Sequence, residues 1–120
     1  MKVNKKWDSK QADELFLAIV SLKNTKEAKC FFRDLCTREE LIDMSDRWQT
    51  VKQLAKGYDY RTIARNLKVS TTTVARVASW LNNGLDGYKL MLVRLKLVKD
   101  ASFFNSTNSM HRPLLTNGER

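Results

Sequence analysis

Apolar side chains that recur every three or four residues, in short runs opened by polar capping residues, constrain the fold of this chain more than any other feature. The first two runs consist of Leu15, Phe16, Ile19 and Leu22, and then of Ala28, Phe31, Phe32 and Leu35. Such spacing places each set on one face of an α-helix. One proline and four glycines among 120 residues also favour helices, because both residue types are poorly tolerated inside them. The sequence therefore predicts an all-α fold.

Capping residues divide the rest of the chain into short helices. Thr37-Arg38-Glu39-Glu40 matches a capping box and opens a helix that should end at Lys56-Gly57, where glycine suits the left-handed residue past a helix end. Asn82-Asn83-Gly84 also accepts positive φ and should end another helix. Five further helix starts are predicted by the capping residues Asp8, Asn24, Asp59, Ser70 and Asp86. We expect about six helices, the last of which fades near Asp100.

Length and composition predict one domain and a tail. We assign residues 1–100 to a helical domain and residues 101–120 to a flexible C-terminal tail, since the tail is rich in Ser, Asn and Thr and lacks helical spacing. The only histidine, His111, lies in this tail and is expected to have no catalytic role. A chain this small buries only about 60–70% of its unfolded surface, so it would gain much by pairing with a second copy.

The net charge of +9 predicts a polyanionic partner, and the charge is concentrated in one segment. Between Gln49 and Leu85 the only carboxylate is Asp59. The basic residues of the same segment are Lys52, Lys56, Arg61, Arg65, Lys68 and Arg76. This distribution indicates a local positive surface, although charge alone does not say whether nucleic acid or an acidic protein binds there.

No residue pattern predicts an enzyme, a metal site or a cofactor. Cys30 and Cys36 lack the spacing of metal ligands, and we expect reduced, buried or half-buried thiols. No nucleophile can be paired with a base, and no phosphate-binding loop is present. The chain also lacks an apolar run of about 18 residues and an apolar signal core after its basic start. These features predict a cytoplasmic protein without catalytic activity.

The segment from Tyr60 to Leu81 predicts a helix-turn-helix. Two closely crossing helices need a small residue at the crossing, which Ala64 supplies, and apolar residues around the turn and along the second helix. The apolar set is Ile63, Leu67, Val69, Val74, Val77 and Leu81. Lys68 stands where such turns commonly have glycine, so we expect it at positive φ, at a cost of roughly 1 kcal/mol.

The outward face of the second helix has the residue types that a DNA-reading helix needs. Small side chains permit close approach to the major groove, and hydroxyl and guanidinium groups can meet base edges. We expect the base-facing residues to be Ser70, Thr71, Thr72, Ala75 and Arg76, with Ser79 on the same surface. Phosphate contacts are expected from Lys52, Lys56, Arg61, Arg65 and Lys68. The alternative is a helix pair packed only for stability. That alternative would not explain why carboxylates are absent from the outward face of the second helix.

Several motifs in residues 13–95 resemble the Trp repressor superfamily, in particular its YerC/YecD branch. The motifs are Phe32-Arg-Asp-Leu-Cys-Thr37, Arg47, Ile63-Ala-Arg-Asn-Leu67, Ser70-Thr-Thr-Thr-Val-Ala-Arg76 and Leu81-Asn-Asn-Gly-Leu-Asp-Gly-Tyr88. The resemblance implies an intertwined, all-helical homodimer that holds two reading heads one DNA turn apart on double-stranded DNA. It also implies a near-palindromic operator and a regulator of transcription, which we expect to be a repressor.

The resemblance further implies that tryptophan binding has been lost. Arg47 and Arg76 align with the two arginines that sandwich the ligand in tryptophan-binding members, but Val77 replaces a glycine and Trp80 replaces a small serine that lines the ligand. Both changes fill space in this former ligand pocket. We therefore hypothesise that Trp80 substitutes for the ligand and packs near one of the two arginines. Alternatively, Trp80 is an ordinary interface aromatic.

Two other functions stay open at this point. The first is a regulator gated by a different small molecule that binds between Arg47 and Arg76. The second is a helical interaction module that uses the same basic surface against an acidic protein, such as part of the transcription machinery. The sequence gives neither the operator nor the direction of regulation.

Overall fold

A computed structural model describes residues 6–105, and these residues form seven helices without any strand. The predicted all-α class is confirmed. The chain divides into two compact units, one ending at Leu41 and the other beginning at Ile42. The helices are α1 (Lys10–Val20), α2 (Thr25–Leu35), α3 (Arg38–Ala55), α4 (Tyr60–Leu67), α5 (Thr71–Asn83), α6 (Gly87–Arg94) and α7 (Ser102–Asn105).

The first unit contains α1 and α2, and local capping explains where they begin. The hydroxyl of Ser9 accepts from the Ala12 N–H at 3.1 Å, so Ser9 caps α1. The sequence had predicted Asp8 as this cap. Asn24 caps α2 by accepting from the Glu27 N–H at 2.9 Å. No residue of α1 or α2 is buried in the described chain. The expectation of buried or half-buried thiols is wrong for Cys30, which is exposed, and right for Cys36, which is half-buried.

The capping box predicted at the start of α3 is confirmed. The Glu40 carboxylate accepts from the Thr37 N–H at 2.8 Å, and the Thr37 hydroxyl accepts from the Glu40 N–H at 3.0 Å. The helix ends at Ala55, and Gly57 follows at φ +89°. Glycine fits there because this left-handed conformation is strained for other residues.

The second unit has one core, built where four helices meet. Its buried side chains are Val51 and Leu54 of α3, Ile63 and Ala64 of α4, Val74, Val77, Ala78 and Leu81 of α5, Leu92 of α6, and Val98. Helix α5 contributes more side chains to this core than any other helix and packs closely against α4. The core therefore fixes one face of α5 and leaves the opposite face free to present side chains.

Two predicted helix ends differ in the structure. Gly84 follows α5 at φ −86°, so the expected positive φ is absent. Glycine fits this position for another reason, because a Cβ there would collide with the Trp80 carbonyl oxygen. The next helix stops at Arg94 rather than near Asp100. Lys96 takes up positive φ (+59°), and the Leu97 N–H bonds the Leu92 carbonyl at 2.8 Å. This turn places Val98 back in the core.

Ser102–Asn105 form the short helix α7, although the sequence assigned them to the tail. Phe103 and Phe104 are half-buried against the core, and this burial of apolar surface stabilises the helix. A helix of only four residues is too short to show a periodic pattern in the sequence. The rest of the predicted tail, including His111, lies outside the described residues. Within the described part, no helix is long and apolar enough to cross a membrane. The same residues contain no group of three or more acidic, His or Cys side chains that could hold a metal ion.

Candidate nucleic-acid interface

Helices α4 and α5 are joined by a three-residue turn whose geometry follows from its end residues. Asp59 caps α4 by accepting from the Thr62 N–H at 2.8 Å, and Ser70 caps α5 by accepting from the Thr73 N–H at 3.0 Å. Lys68 has φ +58° and ψ +44°, which confirms the expected left-handed conformation. The Val69 N–H then bonds the Ala64 carbonyl at 3.1 Å and closes the end of α4.

The inner and outer faces of α5 differ sharply in burial. Val74, Val77, Ala78 and Leu81 are each at most 1% exposed. The residues expected to face bases, Ser70, Thr71, Thr72, Ala75 and Arg76, are all exposed, and so is Ser79. The core thus holds α5 by one face, and the opposite face offers hydroxyl, methyl and guanidinium groups to solvent.

The basic residues expected to meet phosphates lie on three neighbouring segments. Lys52 is half-buried near the end of α3, whereas the exposed members are Lys56, Arg61, Arg65 and Lys68. The side-chain amide of Asn66 donates to the Gln53 side-chain oxygen at 3.1 Å and so links α4 to α3. This link positions the α4 cations relative to those at the end of α3.

A cleft of about 230 Å³ separates α3 from α5. Helix α3 lines it with Asp43, Asp46 and Arg47, which share one helical stripe. Helix α5 lines it with Thr73, Arg76, Val77 and Trp80, again one stripe, and Val69 lies at one end. The structure therefore brings together all four residues named for the former ligand pocket: Arg47, Arg76, Val77 and Trp80.

Inside this cleft the Arg47 guanidinium carbon lies 5.8 Å from the centre of the Trp80 ring. This separation is within the range of a cation–π interaction. Val77 is fully buried below the cleft, whereas Trp80 is 44% exposed. The space that glycine and serine would leave open is thus occupied by an isopropyl group and an indole ring.

Sequence reasoning missed three residues of the cleft: Asp43, Asp46 and Thr73. Both carboxylates come from α3, outside the acid-free segment, and lie in the same cleft as Arg76. Asp46 and Arg47 lie three and four residues after Asp43, a spacing that could have indicated a shared helical stripe. Thr73 adds a hydroxyl whose oxygen is 2.9 Å from that of Ser70.

An apolar groove of about 640 Å³ lies on the other side of Trp80. Its larger side chains are Trp48, Trp80, Leu85, Tyr88 and Met91. The rings of Trp48 and Tyr88 are 6.3 Å apart at an angle of 31°. Burial raises the pKa of the Tyr88 hydroxyl above its ordinary value, and the charge of Arg47 partly opposes this rise.

Comparison with known proteins matches this architecture to one family. Residues 10–96 match the family model described as Trp repressor protein. The uncharacterized protein YerC of Bacillus subtilis (strain 168) is 39% identical over 87 residues, which is 72% of this chain and 84% of YerC.

Two solved structures have the same fold. A TrpR-like protein from Eubacterium eligens ATCC 27750 has a TM-score of 0.74 and 39% identity, and the match covers 79% of this chain and 98% of that one. A candidate Trp repressor from Staphylococcus aureus has a TM-score of 0.71 and 40% identity, with 75% and 90% covered. The chain therefore belongs to the Trp repressor family, on its YerC-like branch, a family of helix-turn-helix DNA-binding regulators of transcription.

Proposed function

We propose that this protein is a homodimeric regulator, most simply a repressor, that reads a near-palindromic operator with α5 and does not need tryptophan as corepressor. The observation that carries the proposal is the contrast between the two faces of α5. Its inner face is buried, while the base-facing set from Ser70 to Arg76 is exposed and contains no carboxylate. A helix with these properties fits the major groove.

The surrounding charges support binding to the DNA backbone. Four exposed cations precede α5 in the chain: Lys56, Arg61, Arg65 and Lys68. They lie in or next to α3 and α4, which share a core with α5. Cations in this arrangement would neutralise phosphates and release counterions. If about six phosphates per dimer are neutralised, the slope of log K against log salt concentration is near −5.

The first two helices support a dimer. Leu17 and Val20 of α1 are 65% and 76% exposed, and Phe16 is 48% exposed. Helices with such apolar content but no buried residue are typical of an interface that a second copy covers. We expect twice the monomer mass in light scattering at micromolar concentration. Location in the cytoplasm stays a prediction.

The contents of the cleft support the loss of tryptophan binding. Trp80 stands beside Arg47, and the Val77 side chain takes up the volume below it. A second indole between Arg47 and Arg76 would have to share the cleft with the Trp80 ring. We expect calorimetry to detect no tryptophan binding at micromolar concentration, and micromolar binding would overturn this part of the proposal.

Selection of binding sites from random DNA by the purified protein tests the main proposal. We expect a near-palindromic site with half-sites about 10 base pairs apart. Arg76→Ala should weaken binding to the selected site, whereas Lys29→Ala on α2 provides a matched loss of one exposed cation outside the helix-turn-helix. Binding without sequence enrichment would leave contact with an acidic protein as the alternative, and a salt slope near zero would reject the DNA-binding proposal.

The cleft also favours a second candidate, a regulator gated by another small molecule. Its lining combines the carboxylates of Asp43 and Asp46 with the guanidinium groups of Arg47 and Arg76. A ligand that bears both charges could contact both sets. Screening of small zwitterions by thermal shift tests this candidate, and a ligand that changes operator affinity would support it.

A further inference from the structure

Helix α5 is held in the core of the second unit by one buried face. Val74, Val77, Ala78 and Leu81 pack in the core, and the neighbouring stripe of Thr73, Arg76 and Trp80 borders the open cleft. Contacts across the cleft therefore add to the core contacts that set the tilt of α5.

One such contact is formed by the chain itself. The Arg47 guanidinium of α3 lies 5.8 Å from the Trp80 ring centre, and Trp80 is on α5. The ring also forms part of the wall between the cleft and the apolar groove, since it lines both. Arg47 and Trp80 thus join the two helices on the open side of the core.

A hydrogen bond connects the cleft stripe to the reading face. The Thr73 hydroxyl lines the cleft, and its oxygen is 2.9 Å from the hydroxyl oxygen of Ser70, the first base-facing residue. Thr73, Arg76 and Trp80 occupy successive turns of one helix. A change of tilt at Trp80 would consequently move the groups that face DNA.

We propose that Arg47 and Trp80 are a positioning pair that holds α5 at its DNA-reading tilt without any bound ligand. This inference rests on the proposed DNA-binding function. It assigns the pair a mechanical role, because neither side chain needs to touch DNA. It also predicts that DNA binding by the unmodified protein is independent of added amino acids and indoles.

The test compares full-length Trp80→Ala and Trp80→Phe with the wild type on the selected operator. Loss of a cation–π contact of ordinary strength should lower the affinity of each helix-turn-helix for its half-site about fivefold. For the two half-sites of an operator the factors multiply to about 25-fold. We expect Trp80→Ala to lose about this much affinity with an unchanged salt slope, since no phosphate contact is removed. Trp80→Phe keeps an aromatic ring and should retain most of the affinity. Trp7→Ala, which removes an exposed tryptophan before α1, is the matched control and should bind normally.

Chemical rescue separates positioning from general stability. Indole at millimolar concentration should enter the space vacated in Trp80→Ala and restore part of its operator affinity, but leave the wild type unchanged. Arg47→Ala should also weaken binding, and combining it with Trp80→Ala should add little, because both remove one contact. If Trp80→Ala does not fold, Arg47→Ala and Trp80→Phe carry the test, since Arg47 is exposed.

Several outcomes would overturn the inference. Wild-type affinity in both Trp80→Ala and Arg47→Ala would show that the pair does not position α5. Additive losses without indole rescue would show a merely structural role. These results differ from failure of the proposed function, in which the wild-type protein itself would not bind DNA and both conclusions would fall.

Discussion

Lys68 allows the charge of a residue to be tested separately from its backbone conformation. It is exposed, and its φ of +58° is a conformation that glycine adopts without strain. Lys68→Gly therefore removes one cation per head while keeping the turn. Relief of the left-handed strain, about 1–2 kcal/mol, is offset by the greater entropy that glycine loses on folding, about 0.5–1 kcal/mol. We expect thermal stability to stay the same or to rise slightly.

The effect on DNA binding follows from counterion release. Two heads lose two phosphate contacts, so the log–log salt slope becomes less steep by about 1.8, from about −5.4 to about −3.6. The counterion contribution of these two contacts vanishes at about 1 M salt. At about 0.1 M salt, Lys68→Gly should therefore bind the operator up to about 60-fold more weakly than the wild type. Fluorescence anisotropy with a labelled operator between about 0.05 and 0.3 M salt measures both quantities.

A matched control is Lys29→Ala, which removes an exposed cation of α2 and should leave the slope unchanged. Lys68→Ala adds a second comparison, because it removes the charge but keeps the strained backbone; it should match Lys68→Gly in DNA binding and be less stable. Equal slopes for Lys68→Gly and the wild type would refute the assignment of Lys68 to a phosphate.

Three further predictions test other parts of the structure. Gly84→Ala should lower the free energy of unfolding by about 1–3 kcal/mol in urea titrations, because its Cβ would collide with the Trp80 carbonyl oxygen; Gly87→Ala, where a Cβ meets only open space, should not. Asp46→Asn should raise operator affinity by about two- to fivefold at low salt, because it removes a negative charge from the cleft beside the reading helix; unchanged anisotropy curves would contradict this. Burial raises the pKa of Tyr88 in the folded protein. The contribution of Tyr88 to stability is therefore complete below the unfolded pKa of about 10, and it is lost as pH rises through the higher folded pKa. Tyr88→Phe should therefore flatten the loss of thermal stability above about pH 10, and identical pH profiles would be inconsistent with this reasoning.

Much of the helical framework could be predicted from the sequence, because capping acts over three or four residues. The capping box at Thr37, the caps at Asp59 and Ser70 and the left-handed Lys68 are all local features, and all are present. The buried and exposed faces of α5 were also predictable, since helical geometry fixes which residues share a face. The roles proposed for those exposed residues in DNA binding stay predictions.

Other features depended on residues that are distant in the chain. The end of α6 at Arg94 and the docking of Phe103 reflect packing against the core, which outweighs the local pattern.

By itself, the sequence determined an all-α chain with a helix-turn-helix and a basic, acid-free outer face on α5, because these depend on composition and on spacing within single helices. Only the tertiary structure decided that Asp43 and Asp46 share a cleft with Arg76, and that the Arg47 guanidinium lies over the Trp80 ring. The physical reason is that distances between helices are set by how core side chains from α3, α4 and α5 fill a common volume. No pattern within one helix contains that information.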